Sequence, residues 1–326
     1  MKPYYLLLPL LGLFSTAEAQ IQQLSMRDAM VNARTTLAPE NLSQLQFIHG
    51  TEDYVYAKTI NNRLTWVKGN ARLGTEQPLI NLGQLNQKLR TAKHDTLTSM
   101  PVIQFNKGTA WLFTHDKAQM AYDPAKNLLT TKIDSSIFNK LNVEQSTAGY
   151  TAYLDKANLF VAKDGTKNQV TTDGSSDIVY ASSVHRDEFG ISKGIFWSNN
   201  GKVLAYYRMD QSMVADYPII NWATRPAKNN NIKYPMAGEK SHQVTVGVYN
   251  PETKTTVYLK TGEPKEQYLT NIAWSPDDNY IYIAVLNREQ NHMKLNQYDA
   301  VTGDFLKTLF EEKDEKYVEP LKPVLF

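Results

Sequence analysis

The sequence has no cysteine in 326 residues. That excludes a disulfide framework, cysteine-ligated zinc and a thiol nucleophile together. Charge of one sign is also missing, since 35 Lys and Arg stand against 33 Asp and Glu for a net +2. The charges are interspersed, leaving no basic stripe for a nucleic-acid partner. Beyond the first residues no apolar run approaches the roughly 20 residues that cross a bilayer. Stability must therefore come from packing, and the length supplies ample core for one large domain or two ordinary ones. What the chain has in excess is aromatic: 19 Tyr, 11 Phe and 5 Trp. Flat rings of this kind suit the pleated surface of strands.

The N-terminus reads as a signal peptide over residues 1–19. Lys2 precedes an apolar stretch from Tyr4 to Phe14, and Ala17-Glu18-Ala19 forms a small-x-small cleavage pattern, so the mature chain would start at Gln20. A membrane span is the rival reading, but the stretch is short and broken by Pro9 and Gly12. Residues 20–50 read as a helical lead-in. Ser25 and Asp28 make a capping box, with Met26, Ala29, Met30 and Ala33 at helical spacing.

From residue 51 to 326 the pattern is all-β. Short β-branched and aromatic runs such as Tyr54-Val55-Tyr56-Ala57, Trp111-Leu112-Phe113 and Leu159-Phe160-Val161-Ala162 alternate with Asn, Asp, Gly and Lys clusters. Strands end in Tyr122-Asp123-Pro124, Tyr249-Asn250-Pro251 and Tyr298-Asp299-Ala300. A second repeat opens strands: Trp197-Ser198-Asn199-Asn200-Gly201 returns as Trp274-Ser275-Pro276-Asp277-Asp278, each followed by an aromatic strand. This is the inner hairpin of a propeller blade, although an antiparallel sandwich would also supply such hairpins. The two copies lie 77 residues apart, against a blade of about 40 to 50. One blade is either skipped or enlarged, and the polar, proline-broken stretch from Asp216 to Tyr234 has the composition of an insertion.

The stretch from Ser183 to Val248 carries a resemblance. It reads Val184-His185-Arg186-Asp187-Glu188-Phe189-Gly190-Ile191, then Gly194-Ile195-Phe196-Trp197-Ser198, then Leu204-Ala205-Tyr206-Tyr207-Arg208-Met209-Asp210, and later Tyr234-Pro235-Met236-Ala237-Gly238. It resembles the N-terminal propeller of the dipeptidyl peptidase IV family of serine peptidases, most closely its bacterial prolyl tripeptidyl peptidase branch. Thr261-Gly262-Glu263-Pro264, Leu269-Thr270-Asn271-Ile272-Ala273-Trp274 and Tyr317-Val318-Glu319-Pro320 fit the same branch. The match is dense from about Asp173 onward.

The resemblance implies about five blades of an eight-bladed β-propeller that caps an α/β-hydrolase domain. The hydrolase domain would carry a Ser-Asp-His triad with its serine in a Gly-x-Ser-x-Gly elbow. No such element occurs in this chain, so the chain is expected to be inactive alone, with the hydrolase domain as its missing partner. The implied substrates are peptides with proline near a free N-terminus. In the family a short helical segment of the propeller offers glutamate to the substrate's α-amine, which makes Glu188 the expected reader and Asp187 a possible second carboxylate. An α-amine with a pKa near 7.7 to 8.0 is mostly charged at neutral pH, and a fixed carboxylate can hold it. Read without the family, Glu188 beside His185 and Arg186 is more simply an exposed ion pair of little energy. His185 and His242 read as turn or packing residues, since neither has a second ligand at metal spacing.

No cofactor or metal is expected. The 216–234 insertion matches an arm used in homodimer contacts, or is an ordinary loop. The signal peptide leads us to expect export, and the resemblance to the bacterial branch implies the periplasm or outer-membrane surface of a Gram-negative bacterium. The alternative function is a non-catalytic propeller that binds peptides or envelope partners. An unrelated hydrolase lacks any motif to organise its Ser, His and Asp.

Overall fold

The structure, a computed structural model, describes residues 23–38, 42–105 and 111–326. Residues 1–19, which carry the signal-peptide reading, lie outside the described residues. Among those described, no helix is long and apolar enough to cross a membrane. Ser25 caps the helix Met26–Met30 through the expected reciprocal box, its hydroxyl accepting from the Asp28 N–H at 3.0 Å. None of that helix is buried.

The chain is all-β, and its described residues form seven antiparallel sheets: two are two-stranded, and the other five follow one another in strict sequence order, the pattern of successive propeller blades. It divides into two compact units, residues 1–85 with 98–100 and residues 86–97 with 101–326. Blade I is the sheet of the first unit. Its strands are Ser43–Phe47, Asp53–Ile60, Arg63–Asn70 and Thr75–Asn81, paired in that order. Pairing thus begins at Ser43, within the stretch read as a lead-in.

The other four blades belong to the second unit. Blade II comprises Trp111–His115, Ala118–Asp123 and Leu128–Ile133, extended by a single bridge between Gln104 and Leu112. Blade III comprises Leu141–Gln145, Thr151–Asp155, Asn158–Lys163 and Thr166–Gln169. In blade IV the first strand is split into Ile178–Tyr180 and Ile195–Trp197, both paired with Leu204–Asp210, and Gln243–Asn250 and Thr255–Tyr258 complete the sheet. Blade V comprises Tyr268–Trp274, Tyr280–Leu286, His292–Asp299 and Phe305–Lys313.

Neighbouring blades of this unit pack face to face, which explains why central strands read as continuous apolar runs rather than alternating ones. Along Leu204–Asp210 successive side chains leave opposite faces. Leu204 and Tyr206 join Leu159 and Val161 of blade III. Ala205, Tyr207 and Met209 join Ile281, Ile283 and Val285 of blade V.

The turns that open the blades repeat more fully than the Trp-Ser pair suggests. Ser146, Ser198 and Ser275 each accept a backbone N–H across the turn, from Tyr150, Val203 and Tyr280 at 2.9 to 3.1 Å. Each tryptophan then reaches back one blade. The Trp197 indole N–H donates to the Glu144 carbonyl at 3.3 Å, and that of Trp274 to the Phe196 carbonyl at 3.0 Å. Adjacent turns are also clasped, because the Asp278 carboxylate accepts from the backbone N–H of Asn199 and Asn200 and from the Asn199 amide at 2.7 to 2.9 Å. The copy at Ser146 is preceded by Gln145, not Trp, which hid it from the sequence pattern.

The 77-residue spacing has a clear cause. No blade is skipped; blade IV carries an insertion between its second and third strands, where Asp216–Tyr217 pairs Ile232–Lys233 and Ile220–Asn221 pairs Lys228–Asn229. These nested pairs form a two-stranded arm.

Candidate functional site

The split in the first strand of blade IV creates the site. Ala181 donates its N–H to the Tyr207 carbonyl at 2.8 Å, and the Tyr207 N–H donates to the Gly194 carbonyl at 3.1 Å. Residues 182–193 are therefore pinched out of the strand as a closed excursion. Gly194 permits the pinch, since a Cβ there would lie 2.1 Å from the Ser182 carbonyl oxygen.

At the tip runs Val184 to Gly190, with His185–Asp187 forming one 3-10 turn. Its hand is unusual: His185, Arg186 and Asp187 have φ of 53°, 57° and 64°, and Phe189 has 56°. Each left-handed non-glycine residue costs about 1 to 2 kcal/mol, so the turn persists only because its surroundings impose it. Glu188 itself returns to extended geometry, with φ −73° and ψ 167°.

Two buried groups impose it. The His185 ring is 2 % exposed. Its Nε2 accepts the Leu269 N–H at 3.1 Å, and its Nδ1 lies 2.8 Å from Nε2 of buried His242. A backbone N–H can only donate, so Nε2 of His185 carries the lone pair and Nδ1 the proton. That proton is donated to His242, whose own proton must then sit on Nδ1. Burial depresses both rings: His185 lies well below the ordinary histidine value, and His242 falls to about 4, with Arg288 and Arg186 adding to the effect. The second anchor is Phe189, whose ring meets Tyr268 edge-on at 5.0 Å. Tyr268 in turn accepts from the Arg288 guanidinium at 2.5 Å. The excursion is thus fastened to the first strand of blade V, where the Leu269 carbonyl also accepts from the Tyr207 hydroxyl at 2.8 Å.

Asp187 and Glu188 face outward from this braced turn. Both are exposed, and among the described residues neither carboxylate has a hydrogen-bond or ion-pair partner. The ion pair with Arg186 that the sequence allowed does not form. Arg186 instead lies over the Tyr234 ring, 5.7 Å from its centroid. It lines a polar cleft of about 580 Å³ with Asp177, Gln211, Asp216, Asn231 and Lys233, at the root of the arm. Chemically, two adjacent unpaired carboxylates on a rigid support can accept several hydrogen bonds from one ammonium group. His185 and His242 prove to be packing residues, with each other as partner. Arg288, Tyr268 and Phe189 carried no sequence signal as supports, because they are brought together only by the packing of blade V on blade IV. Among the described residues no cluster of three or more His, Asp or Glu could hold a metal ion.

Residues 111–326, from the first full strand of blade II through blade V, match a family model described as the dipeptidyl peptidase IV (DPP IV) N-terminal region. The chain belongs to the dipeptidyl peptidase IV family. A Bacteroides ovatus protein whose crystal structure bears the name "putative dipeptidyl aminopeptidase IV" superposes with a TM-score of 0.74 at 37 % identity, over 88 % of this chain and 39 % of that one. The dipeptidyl peptidase 4 of Porphyromonas gingivalis has the same fold, with a TM-score of 0.60 at 21 % identity over 85 % of this chain and 40 % of that one. A Coccidioides posadasii protein named "Probable dipeptidyl-aminopeptidase B" is 28 % identical over 196 residues, 53 % of this chain and 21 % of its own length. The chain therefore spans between about one fifth and two fifths of these dipeptidyl peptidase IV relatives.

Proposed function

We propose that this chain is the substrate-end reader of an exported, proline-specific serine exopeptidase, and that Glu188 with Asp187 holds the free α-amine of the peptide. The observation that carries the reading is a pair of carboxylates, without a partner among the described residues, on a left-handed turn expelled from the first strand of blade IV. A solvated surface pair would need no such bracing. Both carboxylates lie on the same braced turn, and the relatives are named as dipeptidyl enzymes, which favours dipeptide release over the tripeptide release implied by the sequence resemblance. Mass spectrometry of the released product decides between them. The hydrolytic step would belong to a Ser-Asp-His domain outside the chain, which itself holds no Gly-x-Ser-x-Gly element.

The arm from Asp216 to Tyr234 supports a homodimer contact, since it is an ordered ribbon that exposes Tyr217, Ile219, Ile220 and Trp222, the last at 77 %. Apolar side chains clustered on a protruding ribbon suit association more than solvation.

A charge-assisted hydrogen bond is worth about 1.5 to 3 kcal/mol, or roughly ten- to hundredfold in affinity. In the enzyme bearing its hydrolase domain, Glu188→Gln should lower kcat/KM for a free-amine Xaa-Pro substrate by that factor. It should leave the already poor turnover of the N-acetylated substrate unchanged. Equal kinetics for Glu188→Gln, Asp187→Asn and the unmodified enzyme would sink the assignment.

A further inference from the structure

The carboxylates of the proposed reader stand on backbone that is unfavourable residue by residue, so something other than local propensity must hold it. We propose that His185 and His242 act as positioning residues, a single-proton imidazole pair that locks the left-handed turn and so fixes where Asp187 and Glu188 point. This rests on the amine-reading role of those carboxylates.

The argument follows the hydrogen bonds. His185 is the first left-handed residue of the turn, and its ring is the only side chain of the turn with hydrogen bonds to other elements among the described residues. One ring nitrogen takes the Leu269 N–H from the first strand of blade V; the other gives its proton to His242, which immediately precedes the third strand of blade IV. Three elements therefore meet at one ring. The Tyr268 ring, 5.0 Å from that of His185, closes the remaining side. The Leu269 N–H can only donate, so it fixes the direction of this chain and leaves one arrangement of protons between the two rings. The bracing is also independent of the amine chemistry: it involves neither carboxylate, and it explains why a buried polar pair occupies a site where two apolar rings would otherwise serve.

His242→Leu removes the acceptor and leaves the buried Nδ1–H of His185 unpaired. His242→Gln keeps an acceptor, its amide oxygen, at that place. The probe is the dipeptide Gly-Pro, titrated into the protein by calorimetry beside N-acetyl-Gly-Pro. Positioning predicts that His242→Leu weakens Gly-Pro binding at least tenfold, that His242→Gln restores most of it, and that the blocked peptide is unaffected by either change. Nitrogen-resolved NMR of the unmodified protein should find both rings neutral with protons on Nδ1. If His242→Leu lowers Tm but binds Gly-Pro as tightly as the unmodified protein, the pair is a stability element only and the proposal is overturned. Protons on Nε2 of either ring would overturn it as well. Should Glu188→Gln itself leave Gly-Pro binding intact, it is the amine-reading role that fails, a result distinct from failure of the histidine variants.

Discussion

Acid should loosen this protein as pH falls from about 6.5 toward 4, because buried His242 resists the proton that the unfolded chain accepts. His242 titrates near 6.5 in an unfolded chain and near 4 in the fold, chiefly because burial disfavours the imidazolium and secondarily because Arg288 and Arg186 repel it. His185 is depressed in the same direction, chiefly by burial. Above pH 6.5 both states are neutral at these rings and stability is at its ceiling. As pH falls from 6.5 to 4 the unfolded chain binds protons that the folded chain refuses, so stability declines, and the loss is complete only below the folded value. One pKa unit corresponds to about 1.4 kcal/mol, so His242 alone removes roughly 3 kcal/mol across that window. With a urea m-value of about 3 kcal/mol/M, the midpoint should drop by roughly 1 M between pH 7 and pH 4. Urea titrations followed by tryptophan fluorescence at half-unit pH steps read this directly, since Trp197 and Trp274 sit in the blades that the pair joins. His242→Gln should flatten the profile in the same window. A midpoint constant from pH 6.5 to 4.5, or identical slopes for the variant and the unmodified protein, would refute the reasoning.

Three further outcomes follow from the fold. Asp278→Ala removes the acceptor of three hydrogen bonds that clasp the opening turns of blades IV and V; a loss of about 2 kcal/mol is expected after allowing for exposure, and a urea midpoint within error of the unmodified protein would contradict the clasp. Gly194→Ala forces a methyl group onto the Ser182 carbonyl oxygen and should cost about 3 kcal/mol, with proteolysis between residues 182 and 193 as the site-specific readout; resistance equal to that of the unmodified protein would argue against a pinched excursion. Trp222→Ser on the arm should shift a dimer toward monomer in sedimentation velocity, whereas a monomeric unmodified protein at tens of micromolar would remove the arm from any dimer.

Strand content, the Trp-Ser turns and the insertion were all legible because each has a local cause. Aromatic and β-branched runs favour pleated backbone, and Asn, Asp and Gly mark the turns between them. The capping box at Ser25 was equally local. Less was legible where a neighbouring blade supplies the reason. The turn at Gln145-Ser146 lacks the tryptophan that flagged its two sisters, and its kinship appears only through the shared serine hydrogen bond. Asp187 and Glu188 could be pointed to as residues, but their freedom from Arg186 could not, because Arg186 is drawn to Tyr234, which is distant in sequence.

By itself, then, the sequence determined an all-β chain of repeated hairpins, a family and the residues of one short acidic segment, because these depend on composition, spacing and turn chemistry. Tertiary structure alone decided what that segment is. The left-handed turn, the pinch at Gly194 and the His185–His242 brace all require strands far apart in the chain to be packed against one another, and no local preference would select a backbone that each residue separately disfavours.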